Sequence, residues 1–366
     1  MSDANPRTEH TLHLPAALHY PWGQAQPEVG EWMELRPGLH WVRMPLPFAL
    51  NHINLWVLDD QLGGQDSWTV VDAGIAIEPI RQAWQTLWRG PLASRPLGRM
   101  LVTHMHPDHV GNAHWLIEQF SAPSDPAELW MSAADFFAAK LACRETTGYG
   151  GERAAAYFTA HGLQDADLLA KIRQRGDYYA SMVPELPTAY HRLREGQDLT
   201  IGGQRWRCIA GFGHSPEHMA LYSEALGVLI SGDMLLPKIS TNISVIDVEP
   251  QADALGLFLA SIARFESLPA DTLVLPSHGH PFVGIHSRVQ ALRDHHEARL
   301  ADIRAVLSHG PTTAAELLPV LFNRVLDQHQ TSFAMGEAVA HINHLWHLGE
   351  VRRERDAQGV WRFSRA

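Results

Sequence analysis

Between Val102 and Gly111 the chain reads THMHPDHV, which places His104, His106, Asp108 and His109 within six positions. Imidazole nitrogen and carboxylate oxygen are good zinc donors, and a catalytic site leaves part of each metal's coordination to water. His104 and His106 are two apart in extended backbone, so both can point the same way from a strand end. Pro107 then turns the chain, letting Asp108 and His109 address a neighbouring point. One metal cannot easily use all four side chains, but two adjacent metals can. Further donors stand after three later strand-like runs: His214 in GFGHSPEH, Asp233 in LISGD and His278 in LVLPSHGH. Each sits beside Gly or Pro, where backbone turns sharply and a side chain projects from a sheet edge.

This ordered set of seven resembles the metallo-β-lactamase superfamily, whose His-x-His-x-Asp-His signature, followed by His, Asp and His, is filled at every position. The resemblance spans roughly residues 39 to 285 and implies an αββα sandwich, two sheets face to face with helices outside and metals at one edge. It implies that His104, His106 and His214 hold one metal, that Asp108, His109 and His278 hold the other, and that Asp233 bridges them. Asp72 in VVDAG matches the superfamily's early Asp-x-Gly and is expected to accept a hydrogen bond from a metal-bound His. The implied cofactors are two divalent ions, zinc first, with iron or manganese as alternatives. The implied reaction is hydrolysis by a metal-bridging hydroxide that Asp108 orients, with no Ser or Cys nucleophile. A vestigial metal site, or histidines satisfied in a polar core, is the bland alternative, and the complete set outweighs it.

The superfamily spans thioesterases of the glyoxalase II type, lactonases, β-lactamases, nucleases and redox members, so the ligands alone name no substrate. Zinc β-lactamases of the common subclass place a Cys where this chain has Asp233, and the flavin-bearing redox members change the first motif's ligands, so the oxygen-rich, complete set looks like the glyoxalase II, lactonase or nuclease branches. The expected substrate is a small acyl compound, a thioester, ester or lactone carrying an acidic group. Lys238, five residues after Asp233, is the candidate contact for that group, an ordinary surface Lys being the alternative.

The elements that must position these residues can be read from periodicity. Residues 39 to 75 alternate as a β-meander, and 77 to 90 carry helical spacing that returns the chain to the strand before His104. A stretch from about Ser121 to Glu195 is mostly helical in pattern and reads as an insertion. Its aromatics Phe136, Phe137, Tyr149, Tyr157, Phe158, Tyr178 and Tyr179 form either an apolar lid over the metal edge or their own packing, the latter expected for most. Strands resume at Leu199, and a helix covers about 251 to 267. The expected domains are an N-terminal extension at 1–38, the metal-binding domain at 39–285, and a final unit at 286–366.

That final unit reads helix, helix, helix and hairpin, a winged-helix pattern. It resembles the domain appended in a β-lactamase-like subfamily that includes a single-strand RNA endonuclease. Single-strand RNA cleavage is therefore the alternative function. Against it, residues 286 to 366 hold ten Arg and no Lys beside nine Asp and Glu, hardly the basic stripe that phosphate backbones attract. Arg352, Arg353 and Arg355 are the first phosphate candidates, with a solvated turn the commoner fate of such a run. His341, His344 and His347 adjoin on one helix face, but a zinc site needs another donor close by, and exposed histidines are the simpler expectation. His52, His295 and His296 carry no functional assignment. A non-catalytic, metal-stabilised binding protein is the remaining alternative.

Composition narrows these readings. With 45% hydrophobic and 19% charged residues over 366, the chain is an ordinary globular one. Its formal charge of -11 offers no electrostatic footprint for nucleic acid. Two cysteines make neither a disulfide framework nor a Cys-based zinc cluster and suit a reducing cytoplasm. No signal-peptide pattern or membrane-length apolar run is read. The expected location is cytoplasmic, the expected partner a small-molecule acyl substrate rather than nucleic acid or membrane, with a homodimer left open.

Overall fold

A computed structural model describes residues 18–146, 148, 150–176, 178–322 and 326–366. The first sheet holds β1 (Trp32–Arg36), β2 (Leu39–Pro45), β3 (His52–Leu62), β4 (Gln65–Val71), β5 (Leu97–Leu101), β6 (Glu128–Ser132) and β7 (His191–Leu193), neighbours in chain order. β1 to β4 are antiparallel, and β4 to β7 run parallel. The second sheet holds β8 (Asp198–Ile201), β9 (Gln204–Gly211), β10 (His218–Ser223), β11 (Val228–Gly232), β12 (Leu273–Pro276) and β13 (Phe282–Val283), in the order β13-β12-β11-β10-β9-β8. Only β11 and β12 are parallel there.

Side-chain alternation makes the layers. In β2, Leu39 and Trp41 point between the sheets to meet Trp206, Cys208 and Met219 of the second, whereas Val42 and Met44 point outward. The outer face of the first sheet is covered by helices drawn from α1 (Glu78–Arg89), α2 (Pro107–Val110), α3 (Ala113–Phe120) and α4 (Ala133–Ala142). Ile80, Trp84 and Leu87 of α1, Leu116 of α3 and Phe136 of α4 pack there on Ile53, Leu55 and Val70. The spacing of the α1 residues is helical, which is why one stripe of that helix is apolar. After α5 (Gly151–Ala160), α6 (Ala166–Arg173) and α7 (Tyr178–Met182), α8 (Ala254–Ala263) covers the second sheet, with Phe258 and Ile262 against Ile209, Ala220 and Val274. Each fully buried Leu, Ile or Phe in these layers contributes about 1.5–3 kcal/mol. That apolar burial is what lets one edge hold so many buried polar side chains. The architecture is the αββα sandwich expected from the sequence.

Two expectations are revised. The stretch from 121 to 195 is not wholly an insertion, because β6 and β7 lie in it and extend the first sheet. The strand ELWMS is only five residues long, too short for a period of two to stand out from helical surroundings. The sheet also begins inside the supposed N-terminal extension, at Trp32, and His19 pairs with Val283 of the second sheet.

The chain ends in α9 (Ile285–Leu307), α10 (Ala314–Leu321), α11 (Gln328–His347) and a hairpin of β14 (Val351–Arg355) and β15 (Trp361–Arg365). Thr313 and Asp327 start α10 and α11 with capping boxes. The boundary placed at 286 falls one residue inside α9. Ile285, Val289 and Leu292 of that helix pack under the second sheet, and Leu300, Ile303 and Leu307 continue the same core to Leu317, Met335 and Phe363. No helix among the described residues is long and apolar enough to cross a membrane.

Candidate metal centre

The seven expected donors lie just beyond the carboxyl ends of four strands, two sheets converging on one edge. His104 and His106 follow β5, and Asp108 and His109 ride on α2. His214 follows β9, Asp233 follows β11, and His278 follows β12. They fall into two groups, His104, His106, His214 with Asp233, and Asp108, His109 with His278, and within each group the ligand atoms lie within 4.8 Å of one another. His104 Nε2, His106 Nδ1 and His214 Nε2 form a triangle with sides of 2.9, 3.1 and 3.1 Å. Asp233 spans the groups. Its Oδ2 lies 3.3 Å from His214 Nε2 and 3.5 Å from His109 Nε2, and its Oδ1 lies 3.5 Å from His278 Nε2. Asp108 Oδ2 stands 3.6 Å from His109 Nε2 and 3.5 Å from His278 Nε2.

Neighbouring groups settle which nitrogen of each ring carries a proton. His109 Nδ1 donates to Asp72 Oδ2 at 2.8 Å, His214 Nδ1 to the Asn242 carbonyl at 2.7 Å, and His278 Nδ1 to the His52 carbonyl at 2.8 Å. Thr103 Oγ1 donates to Asp72 Oδ2 at 2.9 Å, which leaves its oxygen to accept from His104 Nδ1 at 3.0 Å. The Nε2 lone pairs of all four rings therefore face the cluster. His109 Nε2 and Asp233 Oδ1 are buried with no hydrogen-bond partner. Buried polar atoms are rarely left so. Converging lone pairs, two carboxylates and orphaned donor atoms fit a pair of divalent cations, and with oxygen and nitrogen donors alone the set suits zinc, iron or manganese.

Charge is unevenly shared across the edge. Burial, then the adjacent imidazoles, holds His104 and His106 far below the usual imidazole range. Burial also opposes protonation of His109 and His278, but there the carboxylates win, Asp108, Asp72 and Asp233 around the first and chiefly Asp233 beside the second, and both sit higher than usual. Burial disfavours the Asp233 carboxylate, yet His278 and His109 outweigh it and hold its pKa well below the usual range.

Asp72 stands where the sequence pointed, directly after β4 and bonded to His109. It is the only described non-glycine residue with positive φ, at 64°, a conformation Asp tolerates better than most. Its Oδ1 also accepts from Thr103 N at 2.8 Å, so one carboxylate locks the ligand loop to the neighbouring strand end. Lys238 is exposed in the loop after β11.

Several supports were missed. Asp135, at the start of α4, accepts from Met105 N at 2.7 Å and Glu217 N at 2.5 Å, joining the first ligand loop to the one bearing His214. Burial pushes its carboxyl up to about 6, against those two hydrogen bonds. His218 accepts from Asp233 N at 3.2 Å and packs so close to Gly232 that a Cβ there would collide with the ring; Gly232 also has φ of 54°. The second His of HSPEH was the available signal for it, and for Asp135 there was none. Tyr179 donates to the Met105 carbonyl at 2.5 Å. The remaining aromatics mostly pack: Phe136 stacks on Tyr190 at 3.9 Å and Phe158 is fully buried, while Phe137 is 63% exposed. Tyr149 lies outside the described residues.

Comparison with known proteins follows the same lines. The family model described as Metallo-beta-lactamase superfamily matches residues 50–278, and one described as Metallo-beta-lactamase-like, C-terminal domain matches 300–366. The chain is 24% identical over 308 residues to a probable metallo-hydrolase of Bacillus subtilis, covering 82% of this chain and 90% of that one. It is 23% identical over 224 residues to a hydroxyacylglutathione hydrolase of Idiomarina loihiensis, covering 61% of this chain and 60% of the relative. Among solved structures, a beta-lactamase domain protein from Burkholderia ambifaria is 48% identical with a TM-score of 0.90, covering 95% of this chain and 98% of that one. A metallo-beta-lactamase family protein from Thermus thermophilus is 29% identical with a TM-score of 0.72, covering 91% and 100%.

Proposed function

Because the chain belongs to the metallo-β-lactamase superfamily, we propose that it is a dinuclear metal-dependent hydrolase of a small acyl compound, a thioester, ester or lactone with an acidic group. The observation that carries this reading is Asp233, whose two oxygens reach both halves of a seven-donor edge. His104, His106 and His214 would hold one cation, Asp108, His109 and His278 the other, and Asp233 both. Bound there, such a pair supplies Lewis acidity toward a carbonyl oxygen and a water acidic enough to attack near neutral pH. The protein's own part is orientation. Asp108 keeps a side chain 19% exposed at the rim, where its carboxylate can accept a hydrogen bond from the incoming water. Asp72, Thr103 and the carbonyls of Asn242 and His52 keep the imidazoles turned with lone pairs inward.

The C-terminal arginines favour the acyl reading over RNA cleavage. Arg353 lies 3.5 Å from the Trp346 ring and 5.0 Å from the Trp361 ring, and Arg355 lies 4.7 Å from Trp361. The Arg353 guanidinium packs against these rings, while Arg352 and Arg355 stay exposed in a unit whose ten Arg are nearly matched by nine acidic residues, hardly a basic stripe for phosphates. The relative from Idiomarina loihiensis, a hydroxyacylglutathione hydrolase, points the same way. The test is a hydrolase panel on metal-loaded protein, with thioesters, lactones, phosphodiesters and single-stranded RNA and metal content measured alongside. Acyl hydrolysis abolished by a chelator is expected. RNA cut efficiently while acyl compounds are ignored overturns the substrate class, and two bound metals without turnover of any substrate leaves a binding protein.

A further inference from the structure

Leu39 and Trp41 of β2 are fully buried between the sheets, and the next position on that face is Arg43. Its Nη1 is buried without a hydrogen-bond partner, and no carboxylate among the described residues pairs with the guanidinium. Burial alone pulls its pKa down, with no acidic neighbour opposing, and a guanidinium stays charged regardless. A half-buried cation without a counter-ion is unfavourable unless an anion joins it.

Its surroundings lead to the metal edge. Arg43 pairs in register with Asn54 of β3, whose amide donates to the carbonyls of Pro276 and Gly279, both at 2.8 Å. This ties the end of β2 to the loop that carries His278. In the same loop His280 meets Trp41 edge-on at 5.9 Å, on the face of β2 that Arg43 shares, and its Nε2 is buried and unpartnered. A Cβ on Gly279 would meet Pro237 at 2.6 Å, so the loop bearing Lys238 lies against this one.

We propose that Arg43, His280 and Lys238 form an anion subsite beside His278 that takes the distal carboxylate of the substrate. That the anion is the far end of an acyl compound rests on the acyl-hydrolase reading above. The chemistry rests on the fork: a guanidinium offers two parallel N–H donors matched to a carboxylate, with an imidazole and an ammonium to hold the remaining lone pairs.

The experiment is calorimetric titration of metal-loaded protein with glutarate and with butyrate, which differ by the second carboxylate. Wild type should bind glutarate about tenfold more tightly or better. Arg43→Met should close that gap, and Arg43→Lys and His280→Gln should narrow it; these last two keep the test alive if the first variant fails to fold. Equal affinities in wild type, or an undiminished gap in folded Arg43→Met, overturn the subsite. Hydrolysis of glutaryl and butyryl thioesters is measured beside it. A glutarate gap without hydrolysis of either thioester sinks the acyl reading and keeps the subsite; hydrolysis of both without a gap does the reverse.

Discussion

His104, His109 and His278 at the strand ends, and His296 and His341 between α9 and α11, are all buried, yet their nitrogens face differently. At the strand ends, Asp72, Asn242 and His52 take the Nδ1 protons of His109, His214 and His278, so the Nε2 lone pairs converge on Asp108 and Asp233. Between the helices, His341 Nδ1 donates to the Glu337 carbonyl and its Nε2 lies 3.2 Å from His296 Nδ1. His344 turns to Asp253 Oδ1 at 2.8 Å, and His347 to the Gln251 carbonyl at 2.8 Å. Burial holds His296 well below the usual range and His341 down to about 4, so both stay neutral. The exposed surface expected for His341 is thus corrected: it is a packed core histidine. What sets the strand-end cluster apart is that second partners turn its lone pairs to one point, where two carboxylates meet them.

The comparison can be broken most strongly at Asp108. Asp108→Asn should lower kcat/KM on an acyl substrate by about 100- to 10,000-fold while the unfolding temperature barely moves. Near-wild-type rates in a metal-loaded variant would remove Asp108 from the reaction. Next comes the support behind the ligands. Asp72→Asn keeps a residue that tolerates positive φ but gives up the charge that holds the His109 proton, so metal affinity by competitive chelation should fall about 10- to 100-fold. An unchanged affinity would show that His109 is oriented without it.

Changes in the helical cluster should move stability instead. His341→Leu strands the His296 Nδ1 proton in the core and should cost about 1–3 kcal/mol in urea unfolding, with metal content per chain the same as wild type. Loss of metal would erase the distinction between the clusters. The smallest effect concerns Glu337, one turn before His341. Burial pushes its carboxyl up to about 7, Arg299 offsetting in part, against an ordinary 4.5. The stability it contributes is therefore full below pH 4.5 and is lost as pH rises through 7. Glu337→Gln should stabilise the fold at pH 8 by about 1 kcal/mol and leave it unchanged at pH 4; equal unfolding curves at pH 8 would place that carboxylate in water.

Much of the fold was legible because its signals are local. Each strand of the β2 to β4 meander, the α1 stripe and the closing hairpin declare themselves within short contiguous runs of sequence. β6 and β7 did not, since strands of five and three residues gain their identity from parallel neighbours far away in sequence. β1 was passed over for a like reason: WMELR shows little burial of its own, and its place is given by β2.

At the metal edge, the sequence by itself determined the donors, because ligand chemistry depends on residue type and the order of seven such residues is rare by chance. Tertiary structure alone decided what holds them. Asp135 acts on Glu217 across 82 residues, and His278 on a carbonyl across 226. A carbonyl belongs to every residue and an Asp in a helix start is ordinary, so neither carries a mark until folding brings it within 3 Å of its partner. Arg43 is the same case: a lone Arg in an alternating strand becomes a cation without a partner only when the second sheet closes over its face.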